Sequence, residues 1–341
     1  MNLERLDDIL SRFRTLTICV LGDFYLDRFL DIEAGQTAPN AEAGPEAYQV
    51  TQVRCEAGAA GAVVTNLCAL GVGAVRVISC IGVDGEGFEL ARVLARVGAE
   101  TSALLESSRM RTPTFVRPLV RPADGPPKPL HRLDIHNRQP LAEETESELL
   151  RELRACLAEA GAVMVVDYVA EPNWGIITER MRENLCEIAA ARPETIFFAQ
   201  STARVGEFQN MATKPSLREA ARAVGRPDTG TPEPMELALA LRQRTHAAVY
   251  LALDADGLML ADEGGARLIP GFPAEAVVDP VGAQDAAAAA ITASLCAGAS
   301  PEEAGIIGNL AASVAIEQVG AAARVTPKQL RRRLETSARK T

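Results

Sequence analysis

The stretch DPVGAQDAAAAAITASLCAG, residues 279–298, decides most of the reading of this chain. Gly282 and Ala283 lead straight into an alanine-rich helical segment whose first turn carries Asp285. Such a helix start points free N–H groups and a partial positive charge at one spot, which suits a phosphoryl group in transfer. A carboxylate beside it can take the proton from an attacking hydroxyl. On spacing alone, Asp285 reads as an ordinary first-turn helix acid. The order of the surrounding segments is what lends it chemistry.

Those segments alternate. The β-branched run at 17–22 predicts a buried parallel strand. Residues 29–32 and 48–53 read as strands with one wet face, joined by the connection GQTAPNAEAGPE. A helix at 58–70, a strand at 75–81 and a helix at 87–97 follow. Another short strand pair, 115–120 and 130–135, flanks the proline-rich turn PADGPPKP. Then helix and strand alternate regularly: 143–159, 162–166, 174–190, 195–199. Helices near 216–224 and 233–244 lead to a strand at 248–253 and a hairpin, 258–261 with 266–269. Helices at 283–297, 302–317 and 327–337 close the chain. The rhythm predicts an α/β fold of three layers, a mostly parallel sheet with helices on both faces. The early strand pairs, at about 28–54 and 113–135, break that rhythm. They are expected to form a small β-sheet lid inserted into one domain spanning 1–341.

Bulk properties exclude several classes. At 341 residues, with 48% hydrophobic and 23% charged residues, the composition is that of a globular protein. A net charge of −10 and a pI near 5.1 argue against a nucleic-acid partner. No apolar run is long enough to span a membrane. The opening MNLERLDDILSRFR lacks the apolar core of a secretory signal, so a cytoplasmic location is expected. Seven scattered cysteines without a CxxC pair suit reduced, buried thiols. The three histidines show no metal-ligand spacing, and no protein-held metal centre is expected.

In order, the motifs resemble the PfkB/ribokinase family of carbohydrate kinases, nearest to the sugar-kinase half of heptose-phosphate kinases. They are GDFYLDRF at 22–29, GAAGAVVTNLCALG at 58–71, IGVDGEG at 81–87, RLDIHN at 132–137, VVDY at 165–168, KPSLRE at 214–219, DADG at 254–257 and GAQD at 282–285. The resemblance spans nearly the whole chain. It implies a ribokinase-like fold and transfer of the γ-phosphoryl of ATP, with Mg2+ held indirectly, to a hydroxyl of a sugar or sugar phosphate. By position in those motifs, Asp285 is the implied base and Gly282, Ala283 and Gln284 the implied anion hole. Asp23, Asp27 and Gly58 fall on the sugar side; Glu219, Gly257 and Asn309 fall on the nucleotide side. The lid of such kinases often doubles as a homodimer surface. The absence of a GxxxxGK[ST] segment agrees, because this fold handles phosphate without a Walker lysine.

The departures matter as much. In the family's GGAGN or GGAAN pattern, Ala59 replaces a glycine and Ala62 replaces the sugar-contacting asparagine, and Ala62 has no side-chain hydrogen bond to offer. Gln284 stands where GAGD has its second glycine, beside the phosphate path. Ala252 and Asp254 alter the TxGxxG motif, and Asp254 adds a carboxylate where a polyanion would lie. Ser216 replaces the asparagine of NxxE, Gln200 an aspartate after the strand at 195–199, and Ala170 the lysine of a DYxKG-like turn. Val281, two residues after Asp279, replaces a threonine linked with monovalent-cation binding.

Smaller signals are Tyr168 and Trp174, flanking a turn at a strand end where open α/β sheets bind ligands. Arg111, Arg117 and Arg121, near the lid strands, either meet a substrate phosphate or face solvent. RRRLE at 331–335 reads as a solvated helix face. Two functions stay open: an ATP-dependent sugar kinase, favoured by Asp285, and a catalytically silent ligand-binding or assembly protein, favoured by Ala59, Ala62, Gln200, Asp254 and Gln284.

Overall fold

A computed structural model describes residues 1–38, 47–122, 128–226, 233–278, 281–318 and 323–338. Its first strand, β1 (Thr17–Gly22), shows how the layers arise. Ile18 and Val20 turn to one apolar cluster while Cys19 and Leu21 turn to another, so a fully apolar run serves both faces of a central sheet.

In chain order the elements are α1 (Leu3–Arg12), β1, β2 (Phe24–Ala38), β3 (Ala47–Ala59), α2 (Ala60–Ala69), β4 (Ala74–Gly82), α3 (Gly85–Arg96) and β5 (Glu100–Ser107). Next come β6 (Thr114–Arg121), β7 (Lys128–Pro129), β8 (Leu133–Ile135), α4 (Glu143–Cys156), β9 (Ala162–Asp167), α5 (Glu179–Ala191) and β10 (Ile196–Ser201). The remainder are β11 (Ala212–Thr213), α6 (Leu217–Ala223), α7 (Pro234–Thr245), β12 (Val249–Ala252), β13 (Gly257–Asp262), β14 (Gly265–Pro270), α8 (Ala283–Cys296), α9 (Pro301–Ala315) and α10 (Pro327–Ala338).

The main sheet has nine strands in the order β14-β13-β12-β11-β10-β9-β1-β4-β5. Pairing is parallel from β5 to β12 and antiparallel through the β12–β13–β14 edge. Apolar residues of α1, α2, α3, α8, α9 and α10 cover one face. Those of α4 and α5, then of α6 and α7, cover the other. The fold is therefore the three-layer α/β/α arrangement expected, with a separate small sheet.

That second sheet runs β3-β2-β6-β7, with β8 also on β6. Its strands begin earlier and end later than the alternation predicted, because Phe24 and Leu26 of β2 and Ala57 of β3 root the lid in the main core. Their burial hides the period-two pattern that marks the outer part of the strands. Three other differences have simple causes. The edge strand β5 (ETSALLES) buries only Ala103 fully and carries no apolar run. β11 is two residues long, below any pattern. And α5 starts at Glu179, capped by Thr178, whose hydroxyl accepts the N–H of Met181; residues 171–177 form a turn instead of a first helical turn.

The seven cysteines are unpaired and buried or half-buried. RRRLE is not simply a solvated face: Arg333 is 9% exposed and donates to the carbonyls of Pro273 and Ser313. No helix among the described residues is long and apolar enough to cross a membrane.

Candidate active site

The strands β1, β9 and β10 run parallel, and their carboxyl ends open under the lid, where ligands of open α/β sheets bind. A cavity of about 290 Å³ lies there. The lid contributes Asp27, Phe115 and Arg117 to its wall; the body contributes Tyr168, Lys214 and Asp285.

Gly282 has a left-handed backbone (φ 86°, ψ −13°) that turns the chain sharply into α8. The N–H groups of Ala283, Gln284 and Asp285 in the first turn find no acceptor among the described residues. The carboxylate of Asp285 lines the same cavity and accepts one hydrogen bond, from Gln200 Nε2 at 3.2 Å. Burial raises its pKa to about 6, against the opposing pull of the Gln200 amide and the Lys214 ammonium. The amide oxygen of Gln200, Oε1, is buried without a hydrogen-bond partner among the described residues. Thus the residue that departs from the family aspartate is used locally, to hold Asp285. Gln284 also lines the cavity, while Asp279 lies outside the described residues, so Val281 alone represents the monovalent-cation position.

Lys214 carried no weight in the sequence, yet it is only 6% exposed and lines this cavity. Burial lowers its pKa to about 8, opposed by Asp285, Glu219 and Asp254. The only sequence signal was its place at the head of KPSLRE, two residues before the NxxE-like stretch.

On the lid side, Asp27 is 2% exposed and accepts a hydrogen bond from Arg117 Nε at 2.7 Å. Burial raises its pKa even so. Arg121 likewise pairs with the buried Asp31, so neither arginine simply faces solvent. Gly58 lies behind Asp27: a Cβ there would sit 2.4 Å from Asp27 Oδ2. Gly58 therefore makes room for the carboxylate and does not itself line the cavity. Ala59 and Ala62 do line it, and Ala59 keeps a glycine-type backbone (φ 50°, ψ −121°) despite its side chain.

The structure gives Asp23 another task. Its oxygens accept the main-chain N–H groups of Tyr168 (2.8 Å), Val169 (3.1 Å) and Ile176 (2.7 Å). It anchors the turn after β9, and it faces a neighbouring cavity of about 340 Å³ with Trp174, not the one holding Asp285. Arg204, also missed in the sequence, braces that turn through Asp167 and the carbonyl of Ala170.

On the nucleotide side, Glu219 lines the cavity but is half-committed: its Oε2 accepts the N–H of Ser216 at 2.8 Å in a capping box on α6. Gly257 (φ 103°) lets the 254–257 turn close on β14, where a Cβ would meet Ile269 O at 2.3 Å. Asn309 donates to the carbonyls of Ile269 and Pro270, both at 3.0 Å, so its amide nitrogen fastens that wall instead of being free for a ligand. Gly257 and Asn309 thus shape the rim without reaching the cavity itself.

Residues 211–329 match the family described as pfkB family carbohydrate kinase. The bifunctional protein HldE of Bradyrhizobium sp. (strain ORS 278) is 27% identical over 339 residues, covering 96% of this chain and 65% of that protein. HldE of Mesorhizobium japonicum is 29% identical over 332 residues, covering 96% and 64%. The chain thus spans less than two thirds of the length of these curated relatives. Among solved structures, Escherichia coli phosphofructokinase-2 in complex with potassium superposes with a TM-score of 0.71 at 18% identity, covering 95% of this chain and 99% of that one. Arabidopsis thaliana ribokinase, complexed with ribose and ATP, gives 0.67 at 18%, covering 94% and 99%. The resemblance to PfkB/ribokinase carbohydrate kinases holds, and the fold is ribokinase-like.

Proposed function

For a chain with a ribokinase-like fold and a pfkB-type carboxyl-terminal region, we propose an ATP-dependent carbohydrate kinase acting on a hydroxyl of a sugar or sugar phosphate. One observation carries this reading: Asp285 and Gln284 line one cavity under the lid, in the first turn of a helix whose N–H groups at Ala283, Gln284 and Asp285 find no acceptor among the described residues.

In this mechanism the acceptor hydroxyl gives its proton to Asp285 as its oxygen bonds to the γ-phosphorus. The bond from that phosphorus to the bridging oxygen breaks, and ADP leaves. With a pKa of about 6, Asp285 is mostly ionised at neutral pH, as a base must be. The α8 amides face the charge that gathers on the moving phosphoryl oxygens. Asp27, held by Arg117, is the lid group placed to accept a sugar hydroxyl. The free oxygen of Glu219 fits a water of a magnesium ion held mainly by the nucleotide, which is how that ion commonly binds. Such an ion would neutralise phosphate charge.

A second reading, a silent ligand-binding or assembly protein, draws support from Ala62, which offers no hydrogen bond, and from the occupation of Asp27 by Arg117. A cytoplasmic location and a homodimer through the lid belong to the same proposal, the exposed lid residues Tyr48, Val53 and Leu133 supplying an apolar surface. Small-angle scattering that shows a monomer at high concentration removes the dimer.

The deciding measurement is ADP release from ATP with magnesium across a panel of sugars and sugar phosphates, together with calorimetry of ATP binding. Sugar-dependent ADP release that disappears in Asp285→Asn supports the kinase. Binding of a sugar without any turnover selects the silent reading, and no response to any nucleotide rejects the kinase.

A further inference from the structure

Where α6 and α7 end beside the segment that follows β10, a separate cavity of about 310 Å³ gathers arginines. Arg204, Arg222 and Arg244 line it with Glu207, and none of these four lines the cavity that holds Asp285. Two of the four charges are already matched: Arg204 grips Asp167 at 2.6 Å, and Glu207 pairs with Arg182 at 2.8 Å. The other two are not. Among the described residues neither Arg222 nor Arg244 has a carboxylate at ion-pair distance, in a chain whose net charge is −10.

Both side chains are nevertheless fixed by main-chain acceptors. Arg244 Nε donates to Gly206 O at 2.9 Å, and Arg222 Nη1 donates to Thr202 O at 3.3 Å. Gly206 leaves the passage for Arg244, since a Cβ there would stand 3.1 Å from its Nε and 3.2 Å from its Cδ. The helix ends do little to neutralise the pair. At α6 the carbonyls of Ala220, Ala221 and Arg222 already accept Val224, Arg226 and Gly225 N–H; at α7 those of Arg242 and Thr245 accept His246 and Asn210 N–H. Two guanidiniums held at one cavity repel each other, and each keeps N–H donors to spare. An oxyanion answers both, and the planar guanidinium fork matches phosphate oxygens two at a time.

We propose that this cavity is an anion site of its own, in which Arg222 and Arg244 together hold the phosphate group of a phosphorylated small molecule. The site does not rest on the kinase reading. It abuts the cavity under the lid through Thr202, which lines that cavity and whose carbonyl Arg222 holds.

The test titrates inorganic phosphate, and separately pyrophosphate, into the full chain carrying nitrogen-15 in its arginines. The Nε–H signals of Arg222 and Arg244 are assigned with Arg222→Lys and Arg244→Lys. Both signals are expected to move together and saturate, while sodium chloride at matched ionic strength leaves them in place. Arg244→Met, read at the Arg222 signal, should weaken binding about 10-fold or more, the loss of a charge-assisted contact, and Arg222→Met should do the same at the Arg244 signal. Arg244→Lys should keep part of the affinity. Should a methionine variant fold poorly, Arg222→Gln and Arg244→Gln provide the same neutral comparison. Signals that do not saturate, or that chloride moves equally, overturn the proposal. So does an affinity at the remaining arginine that the neutral variants leave unchanged. Saturation by citrate but by neither phosphate overturns the ligand class. A saturable site that persists in a chain without turnover on any sugar supports this inference and counts only against the kinase.

Discussion

Arg117 Nε donates to Asp27 Oδ1 at 2.7 Å, joining two neighbouring lid strands over the cavity that holds Asp285. In the parallel register of β2 with β6, Asp27 lies opposite Phe115, so the arginine reaches across from two residues further along. One carboxylate thereby has two roles, as a tie within the lid and as the group placed to meet an acceptor hydroxyl. Arg117→Met should cost about 1–3 kcal/mol, a figure kept low because the arginine is 30% exposed. Burial already raises the Asp27 pKa, so stability that depends on its protonation is present at low pH and lost as pH rises. Urea denaturation should therefore show a larger deficit in the variant at pH 8 than at pH 4.5; an equal deficit at both would refute the ion pair's role.

Ala59 has a backbone at φ 50° and ψ −121°, a region natural to glycine. Relief of that strain should outweigh the flexibility glycine adds to the unfolded chain, and Ala59→Gly is expected to stabilise the protein by about 1 kcal/mol. The midpoint of chemical denaturation measures this. A lower midpoint would mean that the residue is unstrained.

Asp285→Asn should remove sugar-dependent turnover by about 10²-fold or more, if Asp285 is the base. Burial lifts its pKa from 3.8 to about 6, so the folded state resists ionisation. Stability is then full below pH 3.8 and declines as pH rises through about 6. The asparagine variant should therefore be more stable than the parent at pH 8, by on the order of 1–2 kcal/mol, and no more stable at pH 3.5. For the parent, kcat/KM should rise with pH through about 6. A flat profile from pH 5 to 7 assigns the proton transfer elsewhere.

Asp254 has φ 51° and is exposed at the turn that leads into β13, within electrostatic reach of Lys214. Asp254→Gly combined with Gln284→Gly removes a carboxylate from the polyanion's surroundings and a side chain from the first turn of α8. ATP affinity by calorimetry is expected to increase about tenfold. Unchanged affinity would place the nucleotide away from both residues.

Gly58 is needed by its neighbour. A Cβ added there would lie 2.4 Å from Asp27 Oδ2 and 3.2 Å from its Cγ. Gly58→Ala should displace that carboxylate, costing about 1–3 kcal/mol and raising KM for the acceptor more than it lowers kcat. A stable variant with unaltered acceptor KM would show that Asp27 does not meet the acceptor.

What the sequence determined alone is the layer architecture and the start of α8. Apolar runs such as TICVLG and the helical alternation between them leave few ways to bury both faces of a sheet, and Gly282 followed by an alanine run leaves little choice about where a helix begins. Local patterning holds that information. It could not show that Asp23 is spent on three main-chain N–H groups contributed by residues more than 140 positions later, or that Asn309 fastens β14. Nor could it show that Lys214, an unremarked lysine beside a proline, stands buried and unpartnered in the cavity. Whether a polar side chain serves the fold or faces a ligand depends on which distant donors and acceptors reach it, and only the folded chain brings those together.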